Sequence, residues 1–330
     1  MLGSKVPPTR RIALVAAVLA IAGVTVQASL PDDDTSSSAS AGCSTSNRQT
    51  VAVDVAAARR IYDAELHGRE SKADAIHVQQ DQALLRALAT GSLPAVRAAV
   101  HRIVYTPHWH IVRLRVLRGG KVLADVGGPH VIAPVDGVLR SAGHTLGTYV
   151  MSVQDDLGYM KLVTRFIGVP LDLYSGHSQI MGTLSPAPPV PPGTGTSVTV
   201  KGRTYLTELL HTRAFPAGQL TVGLFVPVAG ASSSTMTCAA VRAAAWGAIG
   251  AHLAARFKPL PSHYQALVDV LRSTTGGLAY VRSGSQRIAG GPGPKRIPIS
   301  GSVTYRGRPW SVYSWEPVPP ARIYLLTPPG

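Results

Sequence analysis

The stretch Ile111–Gly128, IVRLRVLRGGKVLADVGG, decides the fold class of this chain. Apolar and basic residues alternate over 110–118, and this period of two is typical of a half-buried β-strand. Gly119 and Gly120 then provide a tight turn, and 121–126 is predicted as the return strand. The stretch therefore predicts an antiparallel hairpin and favours a sheet-containing protein over a helical bundle.

Helical periodicity precedes this hairpin, and mainly strand periodicity follows it. Apolar residues recur at three- and four-residue spacings over 51–88, and a second short helix covers 93–104 after the break at Gly91. This order of helices before strands predicts an α+β protein with antiparallel sheets. Further strands are predicted at 144–153, 169–174, 179–184, 198–205, 206–215, 219–226, 278–282, 287–289, 302–305, 310–315 and 322–327, with helices at 158–166, 239–257 and 263–272.

One strand pattern occurs twice in the chain. In 173–227 and again in 280–328, a hairpin is followed by a strand, a tight turn with Gly-Arg, a long strand and a last strand that ends at proline. The identity between the two copies is modest, but the order of features is the same. The repeat predicts two antiparallel five-stranded units, each preceded by helices.

The composition excludes several classes of protein. Of the 330 residues, 45% are hydrophobic, so the chain is not globally disordered, and only 15% are charged, which argues against a coiled coil. The 33 glycines and 26 prolines fit a protein with many turns. The net charge of +15 indicates either an anionic partner or a codon-biased genome, and both interpretations stay open.

The N-terminal residues have the pattern of an export signal. Three cations precede an apolar run over 12–28, and no acidic residue occurs before Asp32. We therefore expect 1–28 to be a signal peptide or signal anchor and 29–50 to be a flexible stalk. The remainder would be secreted or anchored to the outer face of the cytoplasmic membrane.

Cys43 and Cys238 are the two cysteines of the chain. In an exported protein they most simply form one disulfide, which would join the stalk to the start of the second half. Two free thiols are the alternative. Two cysteines also exclude a disulfide-dense mini-protein and a zinc ribbon with four cysteine ligands.

With its long helix, short helix and IVRLRVLRGGKVLADVGG in this order, the chain resembles the Cache sensor domains, which are extracellular, PAS-like modules of bacterial receptors. The stretch over 131–174, VIAPVDGVLRSAGHTLGTYVMSVQDDLGYMKLVTRFIGVPLDLY, resembles the segment that leads to the next subdomain in that family. The resemblance implies two PAS-like modules, each an antiparallel sheet with N-terminal helices packed on it. The larger would cover 51–229 and the smaller 238–330.

The resemblance also implies a small organic ligand held between sheet and loops. Cache proteins usually feed a kinase, cyclase or methyl-accepting domain across the membrane. This sequence shows no second membrane span and no cytoplasmic module, so we expect the chain to act through a membrane signalling partner.

The most conspicuous polar cluster opens the helix predicted at 158–166. Asp155 and Asp156 follow an apolar strand, and Tyr159 and Arg165 lie in the helix. One carboxylate would cap the helix while the other binds a ligand amine or cation, and the arginine would pair with a ligand carboxylate. Simple helix capping is the alternative.

Two residues near the hairpin complete the predicted ligand-binding set. Asp125 and His130 are placed at the rim of the pocket, although such residues also form turns. His108 and His110 have a spacing that permits metal binding, but no third ligand is positioned by the sequence. We therefore predict no metal and no cofactor.

Four aromatic residues lie at or near alternate positions in the last strands: Tyr305, Trp310, Tyr313 and Trp315. They would form either a stacking platform for a ligand or cross-strand pairs in the core. The sequence alone does not choose between the two.

Catalytic motifs are missing from the chain: it has no nucleophile elbow, no HExxH zinc motif, no P-loop and no dinucleotide fingerprint. We predict an exported, non-catalytic sensor or ligand-binding protein that recognises a small polar metabolite. The alternative is a secreted basic cell-envelope protein that binds anionic polymers, and a secreted hydrolase of unfamiliar type is a third possibility. Nucleic acid is not expected as a partner, because an exported chain rarely meets it.

Overall fold

The structure, a computed structural model, describes residues 43, 45–188, 191–228, 236–256 and 261–328. The predicted signal over 1–28 and most of the predicted stalk over 29–50 lie outside these residues. The first helix begins at Ser46, so the last residues of the predicted stalk are helical.

The described residues form helices and strands in alternating groups. The helices are α1 (Ser46–His67), α2 (Arg69–Gln80), α3 (Gln82–Thr90), α4 (Leu93–Tyr105), α5 (Asp156–Phe166), α6 (Cys238–Arg256) and α7 (Tyr264–Thr275). The strands are β1 (Arg113–Arg118), β2 (Lys121–Gly127), β3 (Val131–Ile132), β4 (Val135–Ser141), β5 (His144–Ser152), β6 (Gln154–Asp155), β7 (Leu171–Ser175), β8 (Ser178–Gly182), β9 (Ser197–Val200), β10 (Arg203–Phe215), β11 (Gly218–Pro227), β12 (Leu278–Ser283), β13 (Gln286–Gly290), β14 (Gly301–Tyr305), β15 (Arg308–Val318) and β16 (Ala321–Thr327).

The strands form three sheets within the described residues. The first sheet has the order β2-β1-β5-β4, and the third has the order β13-β12-β16-β15-β14. The second has the order β6-β3-β10-β11-β7-β8, with β9 on the edge of β10. The strand pairs are antiparallel, and helices precede each sheet in the chain, so the predicted α+β class is confirmed.

The predicted internal repeat is confirmed by the strand order. In the second sheet, β8-β7-β11-β10-β9 follows the same path as β13-β12-β16-β15-β14 in the third. The first sheet has this order too, without the last strand, so the region predicted as one larger module over 51–229 holds two sheets. Sequence reasoning missed this third copy because β4 was not predicted as a strand.

The hairpin over 110–126 forms as predicted. Leu114 and Val116 are fully buried, whereas Arg113 and Arg115 lie on the other face of β1. Gly119 and Gly120 have φ angles of 56° and 77°. Positive φ at both central residues is the geometry of the type I′ turn, which glycine adopts without steric cost.

The helical pattern over 51–88 is divided into three helices. The first break is at Gly68, which is the C-cap of α1 and the N-cap of α2. The second break is at Asp81, whose carboxylate accepts a hydrogen bond from the Leu84 backbone N–H at 2.8 Å. These breaks turn the chain so that α2, α3 and α4 pack on the first sheet.

Two main cores hold the described residues together. One lies between helices α2 to α4 and the first sheet. The other joins α1, α5, α6 and α7 to both the second and the third sheet. The predicted module boundary falls at 230–237, and this second core has side chains from both sides of it. The module limits remain a prediction.

Helix α6 packs closely on the third sheet. A Cβ at Gly247 would lie 2.6 Å from the Tyr313 ring, and a Cβ at Gly250 would lie 2.6 Å from the Trp315 ring. Among the described residues, α6 alone has the length and hydropathy of a membrane span. Core helices satisfy the same criteria, and this helix contributes eight buried residues, among them Ile249 and Leu253, to the protein.

The predicted disulfide is present: Cys43 and Cys238 are bonded. The Cys43 backbone N–H also donates a hydrogen bond to the Met236 carbonyl at 2.9 Å. The bond fixes the start of α6 beside the residue that precedes α1. Helices α1 and α6 also contact each other.

Candidate functional site

The structure brings three of the predicted site residues together. Strand β3 pairs with β6 so that Val131 lies opposite Asp155. The Asp156 backbone N–H donates a hydrogen bond to the His130 carbonyl at 3.3 Å. The His130 Nδ1 atom is buried and has no hydrogen-bond partner among the described residues.

The side chains of Asp155, Asp156 and the nearby Tyr159 form hydrogen bonds within the protein. The Asp155 carboxylate caps α5 by accepting a hydrogen bond from the Gly158 N–H at 2.6 Å, and the Asp156 carboxylate accepts one from the Leu157 N–H at 2.8 Å. The Tyr159 side chain is fully buried, and its hydroxyl donates to the Ala58 carbonyl at 3.1 Å. Helix capping by Asp155 is thus observed.

Tyr159 is a core residue, and Arg165 lies in the last turn of α5. Burial raises the pKa of the Tyr159 hydroxyl well above its usual range. The Arg165 guanidinium lies over the Phe166 ring, 6.0 Å from its centroid, and the Arg165 carbonyl contacts His252 Nε2 at 3.0 Å. A ligand-binding role for this cluster remains a prediction.

Asp125 lies elsewhere, in an ionic cluster on the first sheet. Its carboxylate accepts hydrogen bonds from Arg113 Nε at 2.8 Å and from Arg115 Nη2 at 2.7 Å. Both guanidinium groups lie over the ring of Phe215 in the second sheet, 5.0 and 5.1 Å from its centroid. Asp125 therefore joins two arginines at the contact between the two sheets.

An open cleft lies on the third sheet, away from all the predicted site residues except two of the aromatic ones. Its volume is about 220 Å³. Its walls come from α7, β12, the loop after β13, and the hairpin between β14 and β15. The lining residues are Arg272, Leu278, Ala279, Gly291, Pro292, Tyr305, Arg306 and Trp310.

The β14–β15 hairpin positions three of these side chains. Trp310 Nε1 donates a hydrogen bond to the Tyr305 carbonyl at 3.3 Å, and the Arg306 guanidinium lies over the Tyr305 ring at 5.4 Å. Arg306 and Gly307 have φ angles of 53° and 73°, a type I′ turn that places Arg306 at the tip. The two rings and the arginine therefore occupy fixed positions at the end of the hairpin.

The loop after β13 forms the opposite wall of the cleft. Gly293 lies so close to Tyr280 that a Cβ there would meet its ring at 2.4 Å. Tyr280 in turn stacks on Tyr324, with ring centroids 5.5 Å apart. Glycine at 293 is thus explained by the close approach of the loop to the Tyr280 ring.

Positive charge dominates this part of the molecule. Residues 261–328 contain eight lysines and arginines but only two acidic residues. Of the two, Glu316 is paired with Arg322, and the Asp269 carboxylate accepts a hydrogen bond from the Gln265 side chain at 2.9 Å. Arg272 and Arg306 are exposed, and neither forms an ion pair within the described residues. The cleft is therefore electropositive.

The four aromatic residues of the last strands lie in two different places: two line the cleft, and two pack in the core, as one of the two expectations held. Tyr305 and Trp310 line the cleft. Tyr313 and Trp315 lie on the other face of the sheet, where they pack against the core shared with α6. Strand alternation accounts for the division, because residues an odd number of positions apart on β15 point to opposite faces.

Histidines do not form a metal site in the described part of the chain. No group of three or more His, Cys, Asp or Glu side chains is arranged there to hold a metal ion. The His110 backbone N–H donates to the Asp74 carboxylate at 3.0 Å, and the His77 ring stacks on Trp109 at 5.0 Å.

The arginines of the cleft are the residues that sequence reasoning missed. Arg272 has the position of an ordinary cation in the last turn of a helix, and Arg306 that of an ordinary turn residue. The available signal was the excess of cations in the last 70 residues, beside the alternating aromatic residues. Nothing in the sequence shows that 272 and 306 meet around one cleft.

Comparisons with known proteins give no family. No protein-family model and no curated protein matches the chain. One similar solved structure is the periplasmic domain of Vibrio cholerae LuxQ, with 11% identity and a TM-score of 0.36, covering 54% of this chain and 100% of that one. Another is the ligand-binding domain of the Pseudomonas fluorescens chemoreceptor CtaA in complex with L-alanine, with 14% identity and a TM-score of 0.30, covering 56% of this chain and 98% of that one. Both likenesses are too distant to assign this chain to a family.

Proposed function

We propose that this chain is an exported, non-catalytic ligand-binding protein of the sensor type, which recognises a small polar metabolite and acts through a membrane signalling partner. The observation that carries the proposal is the cleft on the third sheet. Exposed guanidinium groups and half-buried aromatic rings converge there on one open volume. A concave site with a few charged groups on an apolar floor is typical of small-molecule binding.

The lining of the cleft supports binding rather than chemistry. Its residues include no carboxylate, thiol, imidazole or serine hydroxyl, so no nucleophile–base pair faces the volume. Two arginines supply charge-assisted hydrogen bonds, which orient a ligand without reacting with it.

Export is supported by the disulfide between Cys43 and Cys238. Disulfides persist in oxidising compartments and are rare in the cytosol. The positively charged, apolar N-terminal segment agrees with this location.

The alternative function, binding of anionic polymers, is favoured by the cations of the third sheet. Arg287, Lys295, Arg296 and Arg308 are exposed in addition to the two cleft arginines. A polymer would use this surface as a whole, so its binding would be weakened by salt and would survive changes in the cleft.

A thermal-shift screen of the mature chain tests the proposed function. The panel contains amino acids, organic acids and neutral sugars, with a polyanion such as polyglutamate beside them. We expect at least one small compound to raise the melting temperature by about 5 °C when it is present at about 100 times its Kd. Failure of every small compound, with salt-sensitive binding of polyglutamate, would contradict the proposal and favour the alternative.

A further inference from the structure

We infer that the cleft on the third sheet takes a small planar organic acid, with its carboxylate on Arg272 and Arg306 and its flat body on the Trp310 ring. This inference rests on the proposed function and names the class of ligand for that site. It follows from the charge, the aromatic lining and the size of the cleft.

The positive charge of the cleft favours an anionic ligand. Arg272 comes from the last turn of α7 and Arg306 from the tip of the β14–β15 hairpin, and both line the volume. The acidic side chains of 261–328 are already engaged, Glu316 by Arg322 and Asp269 by Gln265. A ligand amine would therefore meet two positive charges and no carboxylate among the lining residues, whereas a carboxylate would be held by planar guanidinium donors.

The aromatic lining of the cleft favours a ligand with a planar ring. Trp310 is half-buried, and its ring is held by the hydrogen bond from Nε1 to the Tyr305 carbonyl. The Tyr305 ring is already covered by Arg306, so Trp310 is the ring left to stack on a ligand. Leu278 adds a half-buried apolar side chain to the lining, which disfavours a sugar, whose hydroxyl groups would lack partners there.

The size of the cleft limits the ligand to a small molecule. Its volume of about 220 Å³ is below the roughly 300–1,000 Å³ of sites for drug-sized ligands. An acid with a single ring is therefore the expected size, and a polymer chain would not be enclosed.

Isothermal titration with matched probe compounds tests the ligand class. Benzoate is the probe, benzamide has the same ring without the charge, cyclohexanecarboxylate has the charge without the planar ring, and acetate and inorganic phosphate are anions without a ring. We expect benzoate to bind with the lowest Kd, at least about tenfold below each of the others. Binding of phosphate or of benzamide that is as tight as the binding of benzoate would overturn the inference.

Three arginine variants identify the site. Arg272→Gln and Arg306→Gln each remove one guanidinium and are expected to raise the Kd for benzoate about tenfold or more. Arg308→Gln is the matched control, since Arg308 is exposed on the same hairpin but does not line the cleft, and it should change the Kd less than twofold. Circular dichroism checks that each variant is folded, and equal effects of all three variants would contradict a defined site.

Trp310 provides a second readout. Trp310→Leu should weaken benzoate binding while leaving the weak binding of acetate unchanged, because only the ring of the ligand loses its partner. If a neutral or cationic compound from the thermal-shift panel binds instead, and Trp310→Leu weakens it, the ligand class is wrong while the proposed function stands. If no compound binds at all, the proposed function itself fails.

Discussion

At the residue scale, Asp125 shows how a carboxylate that looks available in the sequence is used inside the fold. Burial alone would raise its pKa, but the hydrogen bonds and charges of Arg113 and Arg115 outweigh burial and lower the pKa below its ordinary value. The carboxylate therefore stays ionised between two guanidinium groups. Its place at the contact of the first and second sheets indicates a role in stability.

Asp125→Asn is expected to lower the free energy of unfolding by about 1–3 kcal/mol, because the two arginines lose a shared charged partner. Urea denaturation at neutral pH measures the loss. Asp136→Asn is the control: Asp136 pairs with Arg213, but both side chains are more than half exposed, so its loss should stay below about 1 kcal/mol. Equal losses in the two variants would contradict the role of Asp125.

The lowered pKa also fixes the pH range of this contribution. Because the folded-state pKa of Asp125 is below its unfolded value of 3.8, its stabilisation is present above that value and is lost as the pH falls through the folded pKa. Wild type and Asp125→Asn should therefore converge in stability under strongly acidic conditions.

At the element scale, helix α1 contains one buried carboxylate, Asp54, and one half-buried carboxylate, Glu65, and neither forms an ion pair with a cation among the described residues. Desolvation raises the pKa of Asp54 to about 7, and burial together with the nearby Glu70 raises the pKa of Glu65 to about 7. Asp54 is only 6% exposed. The folded protein is therefore more stable when these two carboxyl groups are protonated.

Asp54→Asn is expected to reduce the pH dependence of stability between about pH 4 and 7. In the wild type the folded-state pKa is raised, so the stabilisation is complete below the unfolded value of 3.8 and is lost as the pH rises through about 7. Asparagine stays neutral throughout, so the variant should be more stable than the wild type at pH 8 by about 2–4 kcal/mol. Asp63→Asn, on the exposed side of the same helix, should have a smaller effect in the same urea titrations.

The turns illustrate which elements the sequence predicts well. Each sheet has one tight turn in which a non-glycine residue and a glycine both have positive φ: Ala142 and Gly143, Lys201 and Gly202, and Arg306 and Gly307. The Gly-Arg turns of the last two sheets were predicted because a glycine signal stands between alternating strands. Strands β3 and β4 were missed because β3 has only two residues and four of the first five residues of β4 are not buried, which leaves no clear apolar period.

At the scale of the whole molecule, the second and third sheets share one core while the first sheet has its own. Leu224 of the second sheet and Ile323 of the third are both fully buried in the shared core, which α1, α6 and α7 complete. Leu114 is fully buried in the core of the first sheet. This division predicts two cooperative units that differ from the two modules predicted from the sequence.

Alanine substitutions test the division. Leu224→Ala and Ile323→Ala should each cost about 2–5 kcal/mol and lower the same calorimetric transition, whereas Leu114→Ala should lower a different one. Ile299→Ala, at a site 60% exposed, serves as the control and should shift neither. If Leu224→Ala and Ile323→Ala move separate transitions, the two sheets unfold independently and the shared core is not cooperative.

The sequence by itself determined the α+β class, the hairpin after Ile111 and the duplicated strand order, and it favoured one disulfide over two free thiols, because alternation, glycine turns and cysteine number are local or countable signals. Only the tertiary structure decided where the cleft lies. Arg272 and Arg306 are far apart in the chain and line the same cleft because α7 packs on the third sheet, to which the β14–β15 hairpin belongs. It also decided that Asp125, Asp155 and Tyr159 serve a salt bridge, a helix cap and the core. The interaction partner of a polar side chain depends on long-range packing, and a local sequence pattern does not predict it.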